Sequence, residues 1–322
     1  MQIEVDNLKQ HQISHKSLSA SFEARESGPR EIEKSEKVLI RLKEIAEKGF
    51  SPSALTSYIR NPLDFYYQKI LRVKEADDLE ETVDYSTLGT VVHNTLENLY
   101  KPYEGALLSK EILDGFKKEV DKEVLTQFEE CYKEGTIDKG KNLIIFEVAK
   151  RYVTNLINLD IKEINQGNSI KLLHVEIELK ANLDITEIDF PVSIGGKVDR
   201  IDMINEQLRI VDYKTGNVTQ GDLEIVDWDI LTQDYKYSKA FQVLAYSLMC
   251  QSELKYNSME AGIISFRNLG SGFLKFAKKD APRSKTKQTD VSEDILNSFK
   301  QQLISLISEI CDPDVPFIEK EL

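Results

Sequence analysis

Apolar residues recur at helical spacing through the first half of the chain and then switch to alternation. In EIEKSEKVLIRLKEIAEKG (31–49), Val38, Leu39, Leu42, Ile45 and Ala46 fall on one helical face, and Gly49 supplies the stop. SPSALTSYIRNPLDFYYQKIL (51–71) opens with Ser51 as an N-cap and Pro52 at the first helical position. Pro62 is expected to break this segment into two short helices. STLGTVVHNTLENLYKPY (86–103) reads as another helix, followed by two long amphipathic stretches near 108–134 and 139–166. KLLHVEIELKANL (171–183) then alternates with period two through Val175, Ile177 and Leu179. PVSIGGKVDRIDMI (191–204) and QLRIVDYKTG (207–216) continue as strands joined by the turn Asn205-Glu206, an antiparallel meander. A helix (236–252), a hairpin (261–268 with 272–279) and a last helix (291–311) complete the pattern, and no internal repeat is found. A mostly helical first half thus delivers a small mixed sheet flanked by further helices: an α/β or α+β core with a helical appendage.

The 322 residues, 41% hydrophobic and 30% charged, suit one large domain or two small ones. Cys131, Cys250 and Cys311 are far apart and show no zinc spacing, so they read as reduced thiols of a cytoplasmic protein. The N-terminus has no apolar h-region, and no run of about 18 apolar residues exists, so neither a signal peptide nor a membrane span is expected. The net charge of −13 argues against a protein that coats nucleic acid, but not against one that grips it locally. Residues 1–30 read as a loosely attached polar arm. EADDLEETVD (75–84) and GDLEIVDWD (221–229) read as solvated acidic loops.

The chemistry concentrates in GGKVDRIDMINEQLRIVDYKTG (195–216). Side chains two apart on a strand share a face, so Asp212 and Lys214 project together. Pairing across the 205–206 turn sets residues summing to about 411 opposite one another, which puts Asp199 across from Asp212 or one place away; Asp202 faces away. Two adjacent carboxylates are costly unless a cation lies between them, and Mg²⁺ or Mn²⁺ prefers such oxygen ligands. The Tyr213 carbonyl offers another oxygen, and Lys214 could orient or help deprotonate a water or neutralise charge on a phosphate. The D/E-x-K spacing also occurs at Asp160, Glu178, Asp234 and Glu253; the apolar strand before Asp212 and Gly216 after Lys214 set this one apart. The competing reading is a salt-bridged surface hairpin.

GGKVDRID followed by IVDYKTG resembles the PD-(D/E)XK nuclease superfamily in its RecB/AddB-type exonuclease branch. LGTVVHNTLENLY (88–100) resembles the helix that carries the family's metal-site histidine, here His93; KAFQVLAY (239–246) resembles its Q-x-x-x-Y helix, here Gln242 and Tyr246; and 50–71 resembles its opening segment. The resemblance implies a restriction-endonuclease-like mixed sheet with a nuclease domain over 50–312 (helical 50–168, catalytic 169–312), preceded by an arm and helix (1–49) and followed by a tail (313–322). It implies metal binding by His93, Asp199, Asp212 and the Tyr213 carbonyl, Lys214 as the catalytic lysine, and Gln242 and Tyr246 lining the site. The implied reaction is Mg²⁺- or Mn²⁺-dependent hydrolysis of DNA in recombination and repair. Many members hold an iron–sulfur cluster through a cysteine before the opening proline and a cysteine triplet near the end. Asn61 precedes Pro62 here and only Cys311 lies near the end, so no cluster is expected. The abrupt ends raise the expectation of a fragment of a longer AddB-like protein, for which a helicase subunit or a missing helicase-like region would be the partner; whether the chain is such a fragment is open at the level of sequence.

Glu97, one turn after His93, is read evenly as its support or as an ordinary helix acid. Glu176 and Glu178 are read as solvent-facing alternation, the other reading being an extension of the acidic cleft. FRNLGSGFLKFAKKDAPRSKTKQ (266–288), with seven bases, one acid and interleaved Phe273 and Phe276, is the candidate phosphate grip and stacking surface; Arg200 and Lys239 could also touch phosphate. A non-catalytic nuclease-like DNA-binding or helicase-partner subunit is the alternative function, and a hydrolase of another phosphoester a third. No P-loop is present.

Overall fold

The computed structural model describes residues 28–73, 85–132, 139–256 and 258–320; most of the polar arm and the acidic segment 75–84 lie outside them. A short strand β1 (Glu31–Ile32) leads into α1 (Glu36–Lys48), which ends at Gly49 with φ +117°, a conformation open to glycine. Ser51 caps α2 (Pro52–Arg60), accepting the Ala54 N–H at 3.2 Å. Pro62 ends that helix and starts α3 (Pro62–Phe65), whose cap is Asn61: its Oδ1 accepts the Leu63 N–H. A π turn (Tyr66–Ile70) follows, and Arg72 beyond it takes φ +56°. The helices α4 (Tyr85–Tyr100), α5 (Lys110–Cys131) and α6 (Gly140–Asn165) then pack together.

Next come β2 (Ile170–Leu183), β3 (Val192–Ile204) and β4 (Gln207–Lys214), the expected meander. After β5 (Glu224–Ile225) and α7 (Ile230–Gln233), α8 (Ser238–Leu254) carries the chain across to β6 (Met259–Ser265), parallel to β4. The rest is β7 (Phe273–Lys275), β8 (Ala277–Lys279), β9 (Lys287–Gln288), β10 (Asp290–Val291), α9 (Glu293–Cys311) and β11 (Phe317–Ile318), which pairs with β1. The central sheet runs β10-β6-β4-β3-β2, with β7 on β6, and β5, β8 and β9 form a smaller one.

Alternation along β4 divides the core between the two sheet faces. Leu208 and Ile210 join one apolar cluster with α1, α2, α8 and α9; Val211 and Tyr213 join another with α4, α5 and α6. Helix α1 contributes Val38, Leu42 and Ala46 to the first. This is a mixed sheet flanked by helices, consistent with a restriction-endonuclease-like fold. No helix among the described residues is long and apolar enough to cross a membrane.

One irregularity positions the site. β3 pairs with β4 only as far as Arg200↔Val211, whereas it pairs with β2 along its whole length. Beyond Arg200 the two strands part like a fork. Phe50 fills the opened edge of β3: its N–H donates to Ser193 O at 2.8 Å and its carbonyl accepts the Gly195 N–H at 3.0 Å. Gly196 relieves crowding there, because a Cβ would stand 3.2 Å from Pro52 Cδ and 3.5 Å from the Tyr246 ring.

Candidate metal centre

Asp199 and Asp212 face each other at the mouth of the fork. The last β3–β4 pairs sum to 411, as the turn predicted. Asp199 Oδ2 accepts the Tyr213 N–H at 2.6 Å, beyond the end of the ladder, so this carboxylate closes the fork. From α4, whose Leu88, Val91, Val92 and Leu96 are buried, His93 reaches in from the flank. Its Nδ1 lies 3.2 Å from Glu176 Oε1 and 3.4 Å from Asp199 Oδ1, and its Nε2 lies 3.2 Å from the Tyr213 carbonyl. Ligand atoms of His93, Glu176 and Asp199 all fall within 4.8 Å of one another.

On the other side of Asp212 stands Lys214. Its ammonium donates to Oδ1 at 2.8 Å and lies 2.7 Å from Oδ2. Helix α8 is buried around most of its circumference, which fixes Gln242 firmly. The Gln242 Nε2 donates to Asp212 Oδ1 at 3.1 Å and to the Tyr246 hydroxyl at 2.7 Å.

The electrostatics show what this site is suited to hold. Burial works to lower the His93 pKa, but the Asp199 charge and the hydrogen bonds the ring donates to Asp199 and Glu176 override it and lift it to about 10. Both ring nitrogens face acceptors, so the imidazole is held as a cation. Burial pushes the Asp212 carboxyl up to about 6, with Lys214 opposing and Asp199 adding to the rise. Asp212 Oδ2 is also buried without a hydrogen bond of good geometry. Burial lowers the Lys214 pKa, yet Asp212 and Asp199 raise it above the ordinary value, so the amine stays an ammonium. Three carboxylates, a peptide carbonyl and an imidazole form a hard, anionic donor set, and a divalent cation fits it.

Residues 49–322 match the family model of the PD-(D/E)XK nuclease superfamily. The chain belongs to the PD-(D/E)XK nuclease superfamily. These enzymes use divalent metals, and Asp212-Tyr213-Lys214 has the D-x-K spacing that the family's name describes. The chain is similar to an uncharacterized protein of Rickettsia conorii, with 21% identity over 276 residues, 80% of this chain and 30% of the relative. It is also similar to one of Rickettsia bellii, with 24% identity over 296 residues, 83% of this chain and 30% of the relative. A Rickettsia felis protein is 23% identical over 186 residues, 54% of this chain and 20% of the relative. The chain therefore spans less than a third of the length of these relatives.

Several expectations need correction on this PD-(D/E)XK frame. Arg200 is 1% exposed and donates to Asp160 at 2.8 Å and Asp202 at 2.6 Å, so it is out of reach of a phosphate. Phe276 is wholly buried, and Phe273 covers Arg209 with its ring, so neither is a free stacking surface. Three of the seven bases in the basic segment are ion-paired: Lys275 with Glu260, and Lys279 and Lys287 both with Glu224. Glu97 supports His93 only indirectly, through Lys197, which pairs with both Glu97 and Glu176. Lys239 lies one turn before Gln242 on α8, half-buried and without an ion pair among the described residues.

Glu176 is the residue that strand alternation misplaced. It belongs to the site, its side chain 7% exposed, and its backbone takes φ +52°, rare inside a strand and a form of strain that gathers at functional sites. The flanking pairs Val175↔Arg200 and Ile177↔Val198 set it opposite Asp199. The arithmetic that joined Asp199 to Asp212, carried one strand further across the 184–191 turn, would have found it.

Proposed function

We propose that this chain is a Mg²⁺- or Mn²⁺-dependent deoxyribonuclease of the RecB/AddB exonuclease type, acting on DNA in recombination and repair. The observation that carries the reading is the convergence of His93, Glu176, Asp199, Asp212 and Lys214 at the fork of the sheet. In this reading His93, Glu176, Asp199, Asp212 and the Tyr213 carbonyl would hold the cation, and the chemistry it would supply is Lewis-acid polarisation of the phosphodiester and a lowered pKa for a bound water. Lys214 donates from its ammonium to the attacking water or to charge building on the phosphate. Gln242 and Tyr246 hold Asp212 in orientation, and Lys239 stands ready for a flanking phosphate. The nuclease unit takes in α1, whose apolar face shares its core. A helicase-like region or partner subunit belongs to this reading as the source of unwound DNA. Three unpaired cysteines agree with a cytoplasmic setting. Asn61, as a helix cap, takes the place of the cysteine that an iron–sulfur cluster would use.

Labelled DNA incubated with Mg²⁺ or Mn²⁺ is expected to yield 5′-phosphate ends, and EDTA is expected to stop the reaction. DNA that stays intact with every divalent metal, while still bound, would favour the non-catalytic alternative.

Two predictions concern the cation itself. Glu176→Gln is expected to weaken Mn²⁺ binding by roughly 10–100-fold, the range of a lost ligand or ligand support; titration calorimetry reads this directly, and unchanged affinity would remove Glu176 from the site. Cation binding must also displace the proton held on His93, whose pKa is about 10. Affinity is therefore expected to rise with pH through neutrality, with roughly one proton released per ion. Binding enthalpies in buffers of different ionisation heat measure that count, and zero release contradicts it.

A further inference from the structure

The sheet face that carries Glu176 and Asp199 does not stop at the metal centre. Along β2 and β3 the next opposed pairs are Glu178↔Lys197 and Lys180↔Gly195. At about 3.3 Å per residue, this floor extends roughly 13 Å from Asp199. It forms the base of a cleft of about 610 Å³ walled by the end of α1, the start of α2 and the π turn. Clefts of about 300–1,000 Å³ take a drug-sized ligand, comparable to one or two nucleotides rather than a duplex.

The charge of the cleft is opposite to that of the chain. Six basic and two acidic side chains line it, in a protein of net charge −13. Arg41 is ion-paired with Glu44, and Lys197 with Glu97 and Glu176, while Lys180 donates to the Glu47 carbonyl. Lys48, Lys69 and Arg72 form no ion pair among the described residues. The last two sit on and just beyond the π turn, with Arg72 in the left-handed region; both irregularities are typical of functional sites. Gly195 keeps the floor low. A Cβ there would meet nothing nearer than Leu179 O at 3.7 Å, so packing does not demand a glycine.

We propose that a single nucleic-acid strand lies in this cleft, its phosphates on Lys48, Lys69 and Arg72, feeding the phosphodiester at the metal centre. The inference rests on the nuclease reading and adds to it where the flanking nucleotides bind, on one side of the cut. The grip is electrostatic, so it tolerates any sequence and weakens with salt.

The test uses Lys214→Ala chains in Mg²⁺ and a fluorescein-labelled single strand of about 20 nucleotides, long enough to span the cleft and the centre together. Adding Lys48→Ala, Lys69→Ala and Arg72→Ala is expected to weaken binding by at least about tenfold. It is also expected to reduce the slope of log affinity against log salt by about 2, near 0.7 per phosphate contact. Lys118→Ala, Lys122→Ala and Lys171→Ala, outside the cleft, serve as the charge-matched control. Equal losses in the cleft and control variants, or none in either, overturn the proposal. If the wild-type chain cuts no DNA but the cleft variant alone binds poorly, the nuclease reading fails and the cleft stands. If the wild-type chain cuts DNA and the cleft variant binds like the control, the cleft inference alone falls.

Discussion

Lys214→Ala is expected to slow DNA cleavage by about 10²–10³ while leaving Mn²⁺ affinity unchanged or higher. The rate loss follows from removing a preorganised positive group beside developing negative charge, typically about 2.7–4 kcal/mol of transition-state stabilisation. The cation affinity moves the other way because the ammonium, 2.7 Å from Asp212 Oδ2, competes with a cation for the same carboxylate. Lys214 is only partly buried by side-chain exposure and lies at a strand end, so its truncation leaves no large cavity. Single-turnover kinetics and calorimetry on the same preparation separate the two effects. Parallel loss of rate and metal affinity would recast Lys214 as a support for the carboxylates. Asp212→Asn is the contrasting variant, in which both fall together.

The largest stability effect is expected behind the site. Arg200, next to Asp199 on β3, is sealed among Asp160 of α6, Asp202 of the same strand and the Tyr100 ring, 5.3 Å from its guanidinium carbon. Tyr100 donates to the same Asp160 oxygen at 2.8 Å, and Arg209 of β4 donates to Asp202. The arginine thus ties the β3–β4 hairpin to the helical layer of α4, α5 and α6. Arg200→Met removes the cation and leaves the Asp160 carboxylate buried without one, Asp202 keeping Arg209, at a cost of about 3–5 kcal/mol. That corresponds to a melting temperature lower by on the order of 10 °C. Adding Asp160→Asn is expected to restore part of the loss, since the uncompensated charge causes most of it. A melting temperature within about 2 °C of wild type, less than 1 kcal/mol, would show that the network is incidental.

What the sequence disclosed was local. The caps at Ser51 and Gly49, the break at Pro62 and the Asp199–Asp212 register each depend on a few neighbouring residues, and each can be read from them. What it concealed depended on partners far along the chain. Lys279 and Lys287 looked free until the fold brought them to Glu224; Phe276 looked exposed until β8 left the hairpin for the smaller sheet. Arg200 looked like a phosphate contact because Asp160, forty residues earlier, is invisible to strand alternation. Glu176 escaped for a different reason: its left-handed backbone breaks the periodicity by which it was placed.

The account turns on a cation held at the fork of the sheet, and anomalous scattering from a crystal soaked in Mn²⁺ tests it most directly. The predicted result is a peak among Glu176, Asp199 and Asp212, with the Tyr213 carbonyl and His93 beside it, that disappears in Asp212→Asn. A fork without a peak at saturating Mn²⁺, His93 still bridging Glu176 and the Tyr213 carbonyl, would contradict it.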